Sequence, residues 1–288
     1  MTFGQLWRLT RPHTLSAAVV PVLVGTAAGA LAGRVDFLLA FDMLVISLLL
    51  QIATNMANEY FDFRRGVDHQ GLTGIAGVIV QGETSPSAVL AAAVATFALA
   101  FVLGCLLALA RGPLLVLLGL LSILVAVLYS AGPRPIAATP FGELTVFLLM
   151  GVLETLVSEV AAVGGLTVAA FAASLSVGFL VAAILTANNL RDRESDQERG
   201  RRTLAILLGA GRGLAFLRAE ALAAVVWPAV AALGLLPWPA ALTVVLVPLA
   251  ARIGREGPLR RLLPEASRLH LLNGVLLSLV LGAFAALR

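Results

Sequence analysis

Runs of about 20 apolar residues recur from one end of the chain to the other, the length an α-helix needs to cross roughly 30 Å of hydrocarbon. Nine are read, over residues 14–32, 37–58, 87–110, 113–129, 141–163, 166–189, 219–236, 239–251 and 269–287. In lipid the backbone must satisfy its own hydrogen bonds, which leaves helices as the form such runs take. Only 12% of the residues are charged, about half the share in soluble domains. The expected fold is all-α, one polytopic membrane domain over residues 1–288 with nine transmembrane helices.

Arginine placement predicts the orientation, because short cytoplasmic loops hold an excess of basic residues. With nine spans, 17 of the 20 arginines fall on the side of the N-terminus and even-numbered loops, leaving Arg34, Arg111 and Arg288 opposite. The N-terminus is therefore expected in the cytoplasm and the C-terminus outside, in a cell membrane surrounded by lipid. The net charge of +4 is accounted for by this layout and does not imply a nucleic-acid partner. No small-residue cleavage site follows the first residues, so the first span is expected to be retained. Cys105, the single cysteine, lies in an apolar run and reads as a small buried hydrophobe.

Two polar motifs interrupt this pattern, each at the end of an even-numbered span and so on the same side. The first is Asn55-Met56-Ala57-Asn58-Glu59-Tyr60-Phe61-Asp62, followed by Arg64, Arg65 and Asp68; the second runs from Asn188-Asn189-Leu190-Arg191-Asp192 to Asp196. At helical spacing Asn188, Asp192 and Asp196 share a face, as do Asn55, Asn58 or Glu59, and Asp62. Each segment thus presents an acidic stripe. Between residues 58 and 87 the loop carries Gly71, Gly74, Gly77 and Gly82 but also Ile75, Val78, Ile79 and Val80, a composition that suits a covering lid over residues 69–85 better than a solvated linker.

Carboxylates at a membrane boundary are costly to desolvate and call for compensation. Asn58, Glu59, Asp62, Asp68, Asp192 and Asp196 are hard oxygen donors suited to Mg2+, which takes one or two carboxylates and completes its shell with water and phosphate. Arg64, Arg65, Arg191 and Arg201 offer planar forks that match phosphate oxygens. Mg2+ with arginine at the cytoplasmic mouth of a helical bundle points to an amphiphile with a diphosphate head, for which a polyprenyl diphosphate is a fit. The competing reading of Arg191 to Arg202 is an ordinary solvated loop obeying the orientation rule. Glu154 and Glu159 either line a cavity or lie near the outer boundary; His13 reads as interfacial, and Tyr129 as an interfacial anchor or a substrate contact.

These residues resemble the UbiA superfamily of intramembrane prenyltransferases, and within it the 1,4-dihydroxy-2-naphthoate branch. The likeness rests on Arg11-Pro12-His13-Thr14-Leu15 with Pro21-Val22 and Gly25, on the Asn55 to Asp62 motif with Gly66 and Asp68, on Tyr129-Ser130-Ala131-Gly132-Pro133, and on Asn188 to Asp196 with Gly200, Thr203, Leu204 and Gly209. The resemblance implies helices around a central cavity, two Mg2+ motifs, and transfer of a prenyl chain to an aromatic ring that loses its carboxylate, a step of menaquinone synthesis. It implies catalytic or metal roles for Asp62, Asp68, Asp192 and Asp196, with Asn58, Asn188 and Asn189 beside them. Glu59 stands where many members have Asp, and Arg201 where many have Lys. Two alternatives stay open: another acceptor, such as 4-hydroxybenzoate, a chlorin or a glycerol phosphate, and a transporter of an anionic solute, which would place its charges nearer the midplane.

Overall fold

The computed structural model describes residues 1–66, 77–255 and 257–288, and of His13 the backbone alone. Among the described residues there are helices and turns and no strand. Among them six helices are long and apolar enough to cross a membrane: Phe37–Arg64, Pro86–Arg111, Gly142–Val163, Val168–Arg191, Leu204–Ala231 and Leu259–Ala286. Ser16–Gly29, Leu114–Ser130 and Trp238–Arg252 are apolar but shorter. The chain is thus a polytopic, all-helical membrane protein.

Local chemistry fixes where the helices start. Asp36 accepts hydrogen bonds from the N–H groups of Leu38 and Leu39 at the head of Phe37–Arg64, and Thr167 accepts one from Ala170 at the head of Val168–Arg191, each satisfying donors that lack an intrahelical partner. Glu159 lies at the end of Gly142–Val163, where its carboxylate accepts from the Thr167 N–H at 3.0 Å and the Thr167 hydroxyl at 2.6 Å. It therefore fastens the connection between two helices and does not line the cavity. Cys105 is half-buried.

Close helix packing depends on small residues, as is usual where no hydrophobic effect drives helices together in lipid. A side chain built on Gly151 would collide with the Gly178 backbone, and one built on Gly25 with the Thr155 carbonyl. Val168–Arg191 has the largest buried share of the spanning helices and packs against Ser16–Gly29, Leu204–Ala231 and Leu262–Ala286. It forms the inner post of the bundle.

Several boundaries differ from the sequence-based expectation, the helix expected over 37–58 running on to Arg64. The helix expected to start near residue 219 begins at Leu204, with a break at Gly209, whose backbone is non-helical (φ 73°); Arg212 and Arg218 made that stretch look like loop. Arg218 instead reaches the Ile253 and Gly254 carbonyls at 2.9 and 3.0 Å. The last helix starts at Leu262 rather than 269.

The first eight helical residues, Phe3–Thr10, form an amphipathic segment with Phe3 and Trp7 exposed and Leu9 buried. Its Arg8 pairs with Glu83, and the Gln5 amide donates to the Glu83 carbonyl at 3.0 Å. Val78 and Ile79 are buried against Leu9, Met56 and Val89. Residues 77–83 therefore pack onto the bundle, as their apolar side chains require; the rest of the expected lid, residues 69–76, lies outside the described residues.

Candidate active site

A chamber of about 350 Å³ opens among the helices that contain residues 16–29, 37–64, 86–130, 142–163 and 168–191. Its depth is lined by apolar side chains such as Met43, Ile46, Leu107, Leu115, Met150 and Leu153, and one end by Asn58, Asp62, Tyr129, Asn188, Asn189 and Arg201. A π-helical stretch, Phe147–Leu153, forms part of the apolar wall. The chamber thus has a polar mouth and a hydrocarbon interior.

At the mouth the two motifs meet through one side chain. Arg201 donates to both Asp196 oxygens, at 3.1 and 3.2 Å, and its other terminal nitrogen stands 3.8 Å from Asp62. The turn that allows this is local. Val168–Arg191 stops at Asp192, a short helix covers Arg193–Glu198, and Gly200 takes a left-handed conformation (φ 75°) that reverses the chain, as glycine does without steric cost. The Arg201 N–H then bonds to the Asp196 carbonyl at 3.0 Å and the Arg202 N–H to the Ala138 carbonyl at 2.9 Å. Burial pushes the Asp196 carboxyl above the ordinary carboxylate range, with Arg201 pulling it back down.

The remaining acids are also matched to arginines. Asp62 pairs with Arg65 at 2.8 Å, and Asp192 accepts from the Arg191 Nε at 2.7 Å while Arg191 also reaches the Asn188 oxygen at 2.9 Å. Arg64 is exposed, and neither it nor Arg65, Arg191, Asp192 or Asp196 lines the chamber itself. Asn58 accepts a hydrogen bond from Ser130 at the wall. Asp68 lies outside the described residues.

Glu59 departs from the stripe. It is 1% exposed, accepts from the Val78 N–H at 2.8 Å and pairs with Arg11 at 3.3 Å. Successive helical residues point about 100° apart, so with Asn58 facing the chamber Glu59 faces the segment at residues 77–79. Expected among the metal ligands, Glu59 here pins that segment and holds Arg11, a non-glycine residue in the left-handed region (φ 49°), a conformation that needs such support. Asn55, likewise, donates to the Thr10 carbonyl at 2.9 Å and to the Thr14 hydroxyl at 3.0 Å.

Two carboxylates near the chamber were not singled out by the motifs or were left open. Glu154 lines the apolar interior, where it accepts from Ser47. Glu143 lies behind the polar wall and accepts from the Asn189 amide at 2.9 Å. An acid inside an apolar run was the available signal for both. Among the described residues no three acidic, histidine or cysteine side chains gather closely enough to hold a metal ion by themselves.

A model described as the UbiA prenyltransferase family matches residues 18–261. A relative from Bacillus subtilis (strain 168), 1,4-dihydroxy-2-naphthoate octaprenyltransferase, is 41% identical over 227 residues, covering 78% of this chain and 73% of that one. Among solved structures, a UbiA homolog from Aeropyrum pernix K1 superposes with a TM-score of 0.70 at 19% identity, over 95% of this chain and 98% of that one. A UbiA homolog from Archaeoglobus fulgidus bound to GPP and Mg2+ gives 0.64 at 20% identity, over 95% and 99%. These structures share the fold.

Proposed function

The chain belongs to the UbiA prenyltransferase family, and from that premise we propose that it joins a polyprenyl chain, delivered as its diphosphate, to 1,4-dihydroxy-2-naphthoate in menaquinone synthesis. It is an enzyme, a prenyltransferase, and the transporter alternative falls away. The observation that carries the reading is Arg201, set between Asp62 and Asp196 at the polar mouth of an otherwise apolar chamber. A diphosphate at that mouth and a hydrocarbon tail in the depth account for both ends of the chamber.

In the proposed reaction the allylic C–O bond of the prenyl diphosphate breaks with its electron pair leaving on the diphosphate. The ring carbon that bears the carboxylate bonds to the allylic carbon, and the carboxylate departs as CO2, leaving its bonding pair in the ring. The fork of Arg201 meets the departing diphosphate oxygens, where charge accumulates. The Asn58 and Asn188 amides and the Tyr129 hydroxyl border the same space, and the apolar walls keep water from the electron-poor allylic carbon. Asp62, Asp192 and Asp196, with the Asn58 oxygen, are donors that suit Mg2+. With no all-protein cage among the described residues, the ion would be shared with the phosphates, as Mg2+ commonly is. When bound, Mg2+ neutralises the diphosphate and improves it as a leaving group.

The same reading has nine membrane-spanning helices, the three shorter apolar helices completing the six long ones, with the site and the N-terminus in the cytoplasm. The one-sided arginines support it. The test of function is an assay of the purified protein with one polyprenyl diphosphate and a panel of acceptors, with and without a chelator. Prenylated, decarboxylated naphthoquinol and CO2 are expected, lost in excess chelator and restored by Mg2+. Turnover of 4-hydroxybenzoate, a chlorin or a glycerol phosphate in place of the naphthoate would refute the proposed acceptor, and full turnover in chelator would refute the metal role.

A further inference from the structure

Glu143 stands in the first turn of Gly142–Val163 with 4% of its surface exposed. Gly142 allows it to sit there: a side chain on Gly142 would press on Leu185 at 3.3 Å and lie 3.8 Å from the Tyr129 hydroxyl, so the helix start is pushed directly against the chamber wall. One Glu143 oxygen accepts from the Asn189 Nδ2 at 2.9 Å, while the other is buried with no partner among the described residues. Asn189 is itself 5% exposed and is one of the residues lining the chamber.

That single hydrogen bond decides which end of the Asn189 amide the chamber meets. In that bond the Glu143 oxygen accepts and the amide donates, so the NH2 group is held toward the protein interior. The amide oxygen is the group's other polar atom, and the Asn189 side chain makes its one side-chain hydrogen bond among the described residues through Nδ2. The chamber wall at this point is therefore an acceptor. A diphosphate at neutral pH offers no donor there and is repelled, and a prenyl tail offers none either. Of the proposed reactants only the ring hydroxyls of the aromatic acceptor can donate.

We propose that Glu143 is a positioning residue that orients Asn189 so that its amide oxygen accepts a hydrogen bond from a hydroxyl of the aromatic acceptor, making the chamber selective for a free hydroxyl at that place. This rests on the prenyl-transfer reading above and adds to it where the acceptor ring is held. Glu143 touches no reactant; it acts through Asn189. A site built to bond a hydroxyl rejects an analogue that lacks it, because the buried acceptor is then left unpaired.

The experiment uses the full-length purified enzyme, one polyprenyl diphosphate, 1,4-dihydroxy-2-naphthoate and its two monomethyl ethers. The wild type should use at least one ether about tenfold or more less well, in kcat/KM, than the free hydroquinone. Glu143→Leu should bring that ratio down by about tenfold, leaving the KM for the prenyl diphosphate and the Mg2+ concentration for half activation within about threefold. Asn189→Leu should lower the ratio equally, and adding Glu143→Leu to it should change the ratio no further, which a general structural defect would not reproduce. The proposal is overturned if the wild type uses both ethers as well as the hydroquinone, if Glu143→Leu slows all three acceptors by one common factor, or if it shifts the Mg2+ requirement, which would make Asn189 a metal ligand. Should Glu143→Leu not fold in detergent, an unchanged ratio in Asn189→Leu alone also overturns it. Wild-type failure on the free naphthoate would instead count against the proposed function, so the two failures are told apart.

Discussion

Replacing Arg201 with alanine tests the arrangement at the mouth. Asp196 is almost wholly buried, with 3% of its side chain exposed, and receives two hydrogen bonds from Arg201, whose own side chain is 17% exposed. Removing one member of a buried pair costs about 3–5 kcal/mol, chiefly because the other charge is stranded. Here Arg199 remains 4.0 Å from Asp196 and Arg201 is partly in contact with solvent, which brings the expected loss of stability to about 2–3 kcal/mol. Separately, loss of a donor aimed at the leaving diphosphate should slow transfer on the order of 10²- to 10³-fold. A second substitution divides the two effects. Asp196→Asn added to Arg201→Ala removes the stranded charge, so thermal unfolding in detergent should return most of the way to wild type while the transfer rate stays low. If Arg201→Ala transferred prenyl groups within about threefold of wild type, or if the second change restored rate as well as stability, the assignment of Arg201 to the diphosphate would be wrong.

Asp62→Asn and Asp192→Asn should each slow transfer on the order of 10²-fold or more, with the double variant far short of the product, as for residues acting as one unit. Glu194→Gln is the control: its side chain is 87% exposed and its ion pair is with Arg193, so rates should stay within about threefold, and equal damage there would defeat the case for the acidic stripes. Gly151→Ala should destabilise the fold by about 1–3 kcal/mol, because its new carbon would meet the Gly178 backbone and overpacking has that cost. Gly104→Ala, with open space around it, should change stability by no more than about 0.5 kcal/mol, and equal unfolding temperatures for the two variants would rule out the close crossing. Tags at residues 1 and 288 should report cytoplasmic and external sides respectively; both on one side would remove the nine-span layout.

The apolar runs and the two Asn-x-x-x-Asp segments were legible because their cause is local: a span needs its length of hydrocarbon, and a helical face repeats every three or four residues. What escaped was set by contacts distant in sequence. Helical phase placed Glu59 near Asn58 and Asp62 but left a choice between neighbouring directions, which Arg11 and the Val78 N–H decide from 48 residues before it and 19 after it. Arg218 looked like loop because a charge count cannot see carbonyls at Ile253 and Gly254 that take up its guanidinium within the bundle. Glu143 was the least legible, since its meaning lies in Asn189, 46 residues on. One carboxylate among apolar neighbours reads as a cost until its partner is known. Once the partner is an amide on the chamber wall, the cost becomes a directed one: it fixes which atom of Asn189 a substrate meets, and that is a property no motif spacing along a single helix can express.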